Sequence, residues 1–132
     1  MNATDNPMQQ WQRVGGVGFL AALVLTSTAA AGAEKFQKLN GGQIRARLAG
    51  MEVTDNVHWR DLYQRNGTVT STSMGRNRTG KWHVDKDQLC IDFEKEPVPK
   101  CYEVWLSGKE VELRREGLLP LHGVIEPPAV RN

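Results

Sequence analysis

Two groups of side chains carry what chemistry this chain has to offer. The first is Cys90 and Cys101, the only two cysteines in 132 residues. Two free thiols or a metal pair is the rival reading, but the further ligands of a zinc site are lacking, and with the export signal described below a disulfide is the expected bond. The second is a basic and aromatic group: Arg60, Tyr63, Arg76, Arg78, Lys81 and Trp82, with Trp59 and Arg65 interleaved. Cations beside aromatic faces can hold an anionic or sugar-like ligand by charge and stacking. The same residues are also what a solvated loop beside buried aromatics would contain.

Nothing else in the chain suggests a reaction. Catalysis needs a nucleophile, a base and a polarising group close together. His58, His83 and His122 have no metal-binding spacing, and Asp85 and Asp87 flank a turn, where turn chemistry explains them. Ser71 and Ser73 stand in a Thr/Ser-rich stretch without a partner, and both glycine-rich phosphate loops and a G-x-S-x-G elbow are absent. A non-enzymatic protein without metal or cofactor is therefore expected. Seventeen basic residues against 15 acidic ones give no field that would select nucleic acid or a membrane surface.

The elements that must position these groups are strands. In residues 80–116, Leu89, Ile91 and Phe93 alternate with polar neighbours, as do Tyr102, Val104 and Leu106, and then Val111 and Leu113. Setting Cys90 opposite Cys101 places Leu89 against Tyr102. A turn after Asp85 sets Val84 against Leu89 and Trp82 against Ile91. A Ser107-Gly108 turn pairs Val104 with Val111 and Tyr102 with Leu113. Each hairpin gathers the aliphatic residues on one face, and a slip of one residue would turn them outward. The cysteines fall on the opposite, polar face with Trp105, as an external staple worth about 3 kcal/mol by loop entropy.

Upstream, residues 59–64 and 68–74 read as a hairpin closed by Asn66-Gly67. That register puts Leu62 with Val69 on one side and Trp59 with Tyr63 on the other, so either both faces are partly buried or one of them carries a site. Residues 51–54 read as the first strand. Asn40 and Gln43 have the spacing of a capping box, with Leu39 and Ile44 at the staple positions, Ile44 and Leu48 on one face and Gly50 as the stop. This is one short helix that caps a sheet. Residues 75–79, GRNRT, read as a polar basic loop, and the proline-containing apolar tail after Glu116 as an extended, irregular segment lying along the sheet.

Residues 1–33 have the layout of a secretory signal. Arg13 precedes an apolar run, and Ala31-Gly32-Ala33 offers an A-x-A cleavage site before Glu34. An uncleaved anchor is the alternative, though glycines and hydroxyl residues interrupt the run. Either way, residues 34–132 are expected outside the cytoplasm, periplasmic or secreted, where a disulfide persists.

Four motifs carry a family resemblance: L-x-G-x-x-I-R-A-x-L-A-G from Leu39, G-K-W-x-V from Gly80, D-Q-L-C from Asp87 and C-Y-E-V from Cys101. With them the chain resembles small exported proteobacterial proteins of a family of unknown function. The resemblance spans residues 39–116 and implies an envelope protein; it brings no catalytic residue. The expected fold is mainly β, a single antiparallel β-meander or half-barrel with a lipocalin-like curl and one short N-terminal helix. The expected role is a monomeric binding module for a small anionic ligand, glycan or envelope protein, with neither nucleic acid nor, after signal cleavage, membrane as partner. The alternative is an inhibitor of another envelope protein that inserts the proline-containing loop 94–100.

Overall fold

The computed structural model describes residues 35–130, so the export segment read at 1–33 lies outside the described residues. Within the described part the chain forms strand β1 (Gln37–Lys38), helix α1 (Gly41–Leu48) and strands β2 (Met51–Thr54), β3 (Trp59–Tyr63), β4 (Thr68–Ser73), β5 (Arg76–Asp85), β6 (Gln88–Phe93), β7 (Lys100–Ser107), β8 (Glu110–Arg114) and β9 (Leu121–Glu126). From β2 to β9 each strand pairs antiparallel with the next, and β9 returns to pair with β2. The result is a closed up-and-down barrel of eight strands, with β1 added beside the C-terminal half of β7. The fold is the expected meander carried further, from a half-barrel to closure.

Two segments read as irregular complete the wall. The basic stretch 76–79 is the first part of β5, paired from Arg76 opposite Ser73 to Thr79 opposite Thr70. Its polar residues hide the alternation that marks other strands. The apolar tail contributes β9, whose Ile125 lies opposite Val53 and whose Leu121 lies opposite Leu113. Its prolines stand outside the strand, Pro120 just before it and Pro127 and Pro128 just after, where no ladder donor is lost. Closure satisfies both sheet edges, which would otherwise be templates for association.

Turn chemistry sets the registers. The β5–β6 turn has Lys86 and Asp87 at φ 47° and 58°, the two left-handed positions of a type I′ hairpin, and Met74-Gly75 repeats this between β4 and β5. Cys90 lies opposite Cys101, Leu89 opposite Tyr102 and Trp82 opposite Ile91, as the alternation predicts. Between β7 and β8 the turn is Gly108-Lys109 instead of Ser107-Gly108, so Val104 faces Leu113 and Leu106 faces Val111. Partners move by two residues and inward side chains stay inward.

The β3–β4 hairpin departs by one residue, and there the consequence is large. Tyr63 pairs with Val69 across a loop in which Gly67 takes φ 89° and its amide donates to the Gln64 carbonyl. The loop is three residues long, with the left-handed glycine of a bulged turn. Tyr63 and Val69 therefore share the interior, both fully buried, while Leu62 turns outward. Trp59, Asp61, Ser71 and Ser73 follow Tyr63 inward.

The inward set fills one end of the barrel with Val53, Tyr63, Val69, Trp82, Leu89, Val104, Val111 and Leu113. Helix α1 lies across that end, packed on β2, β5 and β6 with Ile44 and Leu48 fully buried. Its capping box is complete: the Asn40 side chain accepts from the Gln43 amide and the Gln43 side chain from the Asn40 amide. Asp87 at the β5–β6 turn accepts from the Gly41 amide at 2.7 Å and ties the helix to the barrel. The disulfide joins Cys90 and Cys101 on the outer face of β6 and β7, with Cys90 only 1 % exposed.

The bridge encloses a short loop between paired neighbours, 11 residues apart in sequence. Cys90→Ala/Cys101→Ala is expected to lower unfolding free energy by about 3 kcal/mol while keeping the fold. Urea titration with far-ultraviolet dichroism measures it; an unchanged midpoint would mean the staple constrains nothing.

Candidate functional site

The other end of the barrel is open. Loops 55–58, 74–75, 94–99 and 115–120 all lie there, because alternate connections of a meander share an end. Inside the rim is a cavity of about 230 Å³ reaching in to Trp59, Asp61, Arg78, Ile91, Tyr102 and Leu113. A larger depression of about 650 Å³ runs along α1 beside β1 and the β7–β8 turn, but it is an open groove on the outside of the plugged end. Ligand sites combine apolar walls with a few convergent polar groups. The mouth has both.

Trp59 is delivered to the mouth by a braced loop. Asp55 Oδ1 accepts from the amides of Val57, His58 and Trp59 at 2.9, 2.7 and 3.0 Å, and the Thr54 hydroxyl donates to the Trp59 carbonyl at 2.7 Å. Desolvation raises the Asp55 pKa, but the hydrogen bonds from the Trp59, Val57 and His58 amides and the His58 ring together outweigh it and hold the carboxyl far below the usual range. The indole then lies over Gly123, where a Cβ would come within 3.2 Å of the ring. Glycine at this place in β9 leaves room for the aromatic wall.

Asp61 is the unusual group. A carboxylate facing a barrel interior loses hydration, and burial pushes its pKa up; the Ser71 hydroxyl, the Arg78 guanidinium and the Tyr63 hydroxyl partly offset this. The Tyr63 phenol, fully buried, is itself pushed well above its ordinary value by burial and then by the neighbouring Asp61. Tyr63 and Trp82 meet edge to face with centroids 5.6 Å apart, and Trp82 Nε1 donates to the Gln64 carbonyl at 2.8 Å.

Arg78 and Lys100 bring positive charge to the rim from β5 and β7. The Arg78 guanidinium lies 3.8 Å over the Phe93 ring, a cation–π contact. Glu96, from loop 94–99, accepts from Arg78 Nη1 at 3.1 Å and from Lys100 Nζ at 3.0 Å through the same oxygen, Oε1. The Lys100 hydrogen bond leads in holding the Glu96 carboxyl below its ordinary pKa, with desolvation opposing it and Arg78 adding to it.

The basic and aromatic residues singled out in the sequence do not form one surface. Arg60 and Lys81 point outward, Arg60 pairing with Glu52 at 2.7 Å. Tyr63 and Trp82 are interior packing residues. Arg78 lines the mouth and Arg76 stands exposed at the start of the same strand. Strand alternation separates them, because positions 81 and 82 face opposite sides. Asp61 escaped sequence reasoning, and Glu96 and Lys100 entered it only as part of the loop 94–100. For Asp61 the usable signal was the Asn66-Gly67 pair: Asp61 shares a face with Tyr63 in any register, and a three-residue loop puts that face on the side of Val69, inside the barrel.

Among the described residues no cluster of His, Cys, Asp and Glu is placed to hold a metal, and no helix is long and apolar enough to cross a membrane. His58 pairs with Asp55 in the braced loop, His122 lies 3.5 Å from Glu112, and His83 is exposed. No family model matches the chain, and neither curated proteins nor solved structures give a significant match.

Asp61 makes stability depend on pH with a definite sign. Its folded pKa lies above the unfolded value near ~3.9, so the native state holds the proton more tightly and stability falls as pH rises between the two. Asp61→Asn removes this penalty and is expected to be more stable than the parent at pH 7, by on the order of 1 kcal/mol, with the gap closing toward pH 4. Melting curves of both proteins across that range test it; a constant gap would show that the carboxyl is not the cause.

Proposed function

We propose that the protein is a non-enzymatic binding module of the cell exterior, periplasmic or secreted, whose ligand enters the open mouth of the barrel. The carrying observation is the pairing of a plugged end with an open one, whose cavity combines aromatic walls with Arg78, Lys100 and Asp61. At about 230 Å³ it lies below the ~300–1,000 Å³ range of drug-sized pockets, which favours a small or single-chain molecule. Export through residues 1–33 accounts for the disulfide, since such bonds persist in oxidising compartments. Membership in the exported proteobacterial family rests on the four sequence motifs and is part of the same proposal.

The mouth can be tested with N-phenyl-1-naphthylamine, a neutral dye that brightens in apolar sites. It should brighten with the parent protein and lose most of that response with Leu121→Trp, which fills the cavity from β9, at a similar melting temperature. Equal brightening by both proteins would place the dye elsewhere and remove the mouth as the site.

One observation favours a second reading, as an inhibitor or interaction partner. Val98 is 67 % exposed between Pro97 and Pro99, on a loop held by the Glu96 contacts and, next to Lys100, by the disulfide. Such a loop would lose little freedom on binding. Pull-down from envelope extracts should then fail when loop 94–99 is replaced by Gly/Ser, and undiminished capture would exclude this reading.

A further inference from the structure

Glu96 occupies a place that the barrel wall leaves to an anion. The wall supplies two cations at the mouth, Arg78 and Lys100, and one acid, Asp61, which acts on Arg78 through charge, while the carboxylate in direct contact with both cations comes from a connecting loop. The contact is also incomplete. Both cations use Oε1, while Oε2 is buried without a hydrogen-bond partner. A buried carboxylate oxygen left unpaired is costly, and an arginine fork is best matched by a carboxylate that presents both oxygens. Arg78 is held for such a partner by the Phe93 ring beneath it, 3.8 Å from the guanidinium carbon.

The surroundings specify the rest of the ligand. Trp59, Tyr102 and Leu121 line the cavity beside the cations, offering an apolar body its contacts. Around the mouth, all four connecting loops carry an exposed large apolar side chain: Val57, Met74, Val98 and the adjacent Leu118 and Leu119, from 61 to 90 % exposed. Exposed apolar groups scattered singly need no explanation, but here each loop at one end of the barrel has one. The single described exception away from these loops and β9 is Val130, near the chain end.

We infer that Arg78 and Lys100 form a subsite for the carboxylate head of a single-chain apolar acid, which replaces Glu96 there while its chain lies against Trp59, Tyr102 and Leu121. Glu96 is then a resident stand-in that keeps the cations paired when the site is empty. The inference rests on the mouth being a ligand site, as proposed above. It adds the class of ligand and the residue that competes with it.

Calorimetric titrations with sodium decanoate, decanol and sodium acetate at pH 7 test it on the parent, Glu96→Gln, Glu96→Ala and Arg78→Met/Lys100→Met. Decanoate is expected to bind the parent and to bind both Glu96 variants on the order of tenfold more tightly, the scale of a displaced charged hydrogen bond. The double methionine variant should lose at least about tenfold on the same grounds. Decanol should be held within about twofold by parent and Glu96 variants alike, and acetate should bind too weakly to measure. Thermal melts of each variant identify any that fails to fold, and Glu96→Gln and Glu96→Ala stand in for one another. Decanoate binding that is no tighter in the Glu96 variants, or no decanoate binding at all, overturns the inference. If the naphthylamine dye still enters and Leu121→Trp still excludes it, the mouth survives as a site without the acid subsite. If the dye fails too, both fall together.

Discussion

A sheet closed on itself must agree with itself all the way round. In this barrel the inward residues of each strand meet inward residues of both neighbours, and the last pairing, β9 with β2, has to match the parity set by the seven before it. Val53 opposite Ile125 on one side and opposite Asp61 on the other is where the circuit closes. Shifting any hairpin by one residue would break that agreement and expose a strand's apolar side. The bulged loop at Gly67 is thus a condition of the whole fold, because it brings Tyr63 inside together with Val69. It also brings Asp61 inside, and the polar mouth follows from the same geometry that builds the apolar core.

The two ends of the barrel divide the work. At one end α1 supplies Ile44 and Leu48 to the interior and hangs from Asp87 and its own capping box. At the other, none of the described elements crosses the opening, and its groups are held by local devices: the Asp55 brace under Trp59, Gly123 under the indole, and Phe93 under Arg78. Gly80 makes the last of these possible, since a Cβ there would lie 2.7 Å from the Phe93 ring and 2.5 Å from the Asp92 carbonyl. Rigid support beneath a polar opening is what binding sites need when their side chains must be in place before a ligand arrives.

Much of the wall was legible because alternation and turns agree. The stapled hairpin was fixed by the Cys90–Cys101 pairing and by Val84, Leu89 and Tyr102, and the helix by Asn40, Gln43, Ile44 and Leu48. The register of β7 with β8 was two residues out, since glycine takes the first central position of the turn at φ 59°, followed by Lys109. The first part of β5 and all of β9 were hidden for opposite reasons. Arg76 to Thr79 carry almost no apolar signal, whereas the tail carries prolines that argue against a strand until it is seen that they flank it. Of the basic and aromatic group read in the sequence, only Arg78 and Trp59 line the mouth. A site assembled across a closed barrel joins residues from β3, β5, β7 and a loop, and no local pattern in the chain announces that.

The position of Glu96 has a kinetic side. It sits on a six-residue connection, 94–99, between two strands that are covalently joined through Cys90 and Cys101. Moving its carboxylate away from Arg78 and Lys100 takes rotation of one side chain and adjustment of one loop; no pair of strands has to separate. On the proposed reading of the mouth as a ligand site, freeing the two cations would call on side-chain and loop motions, which belong to the nanosecond to microsecond scale, and not on the far slower parting of strands.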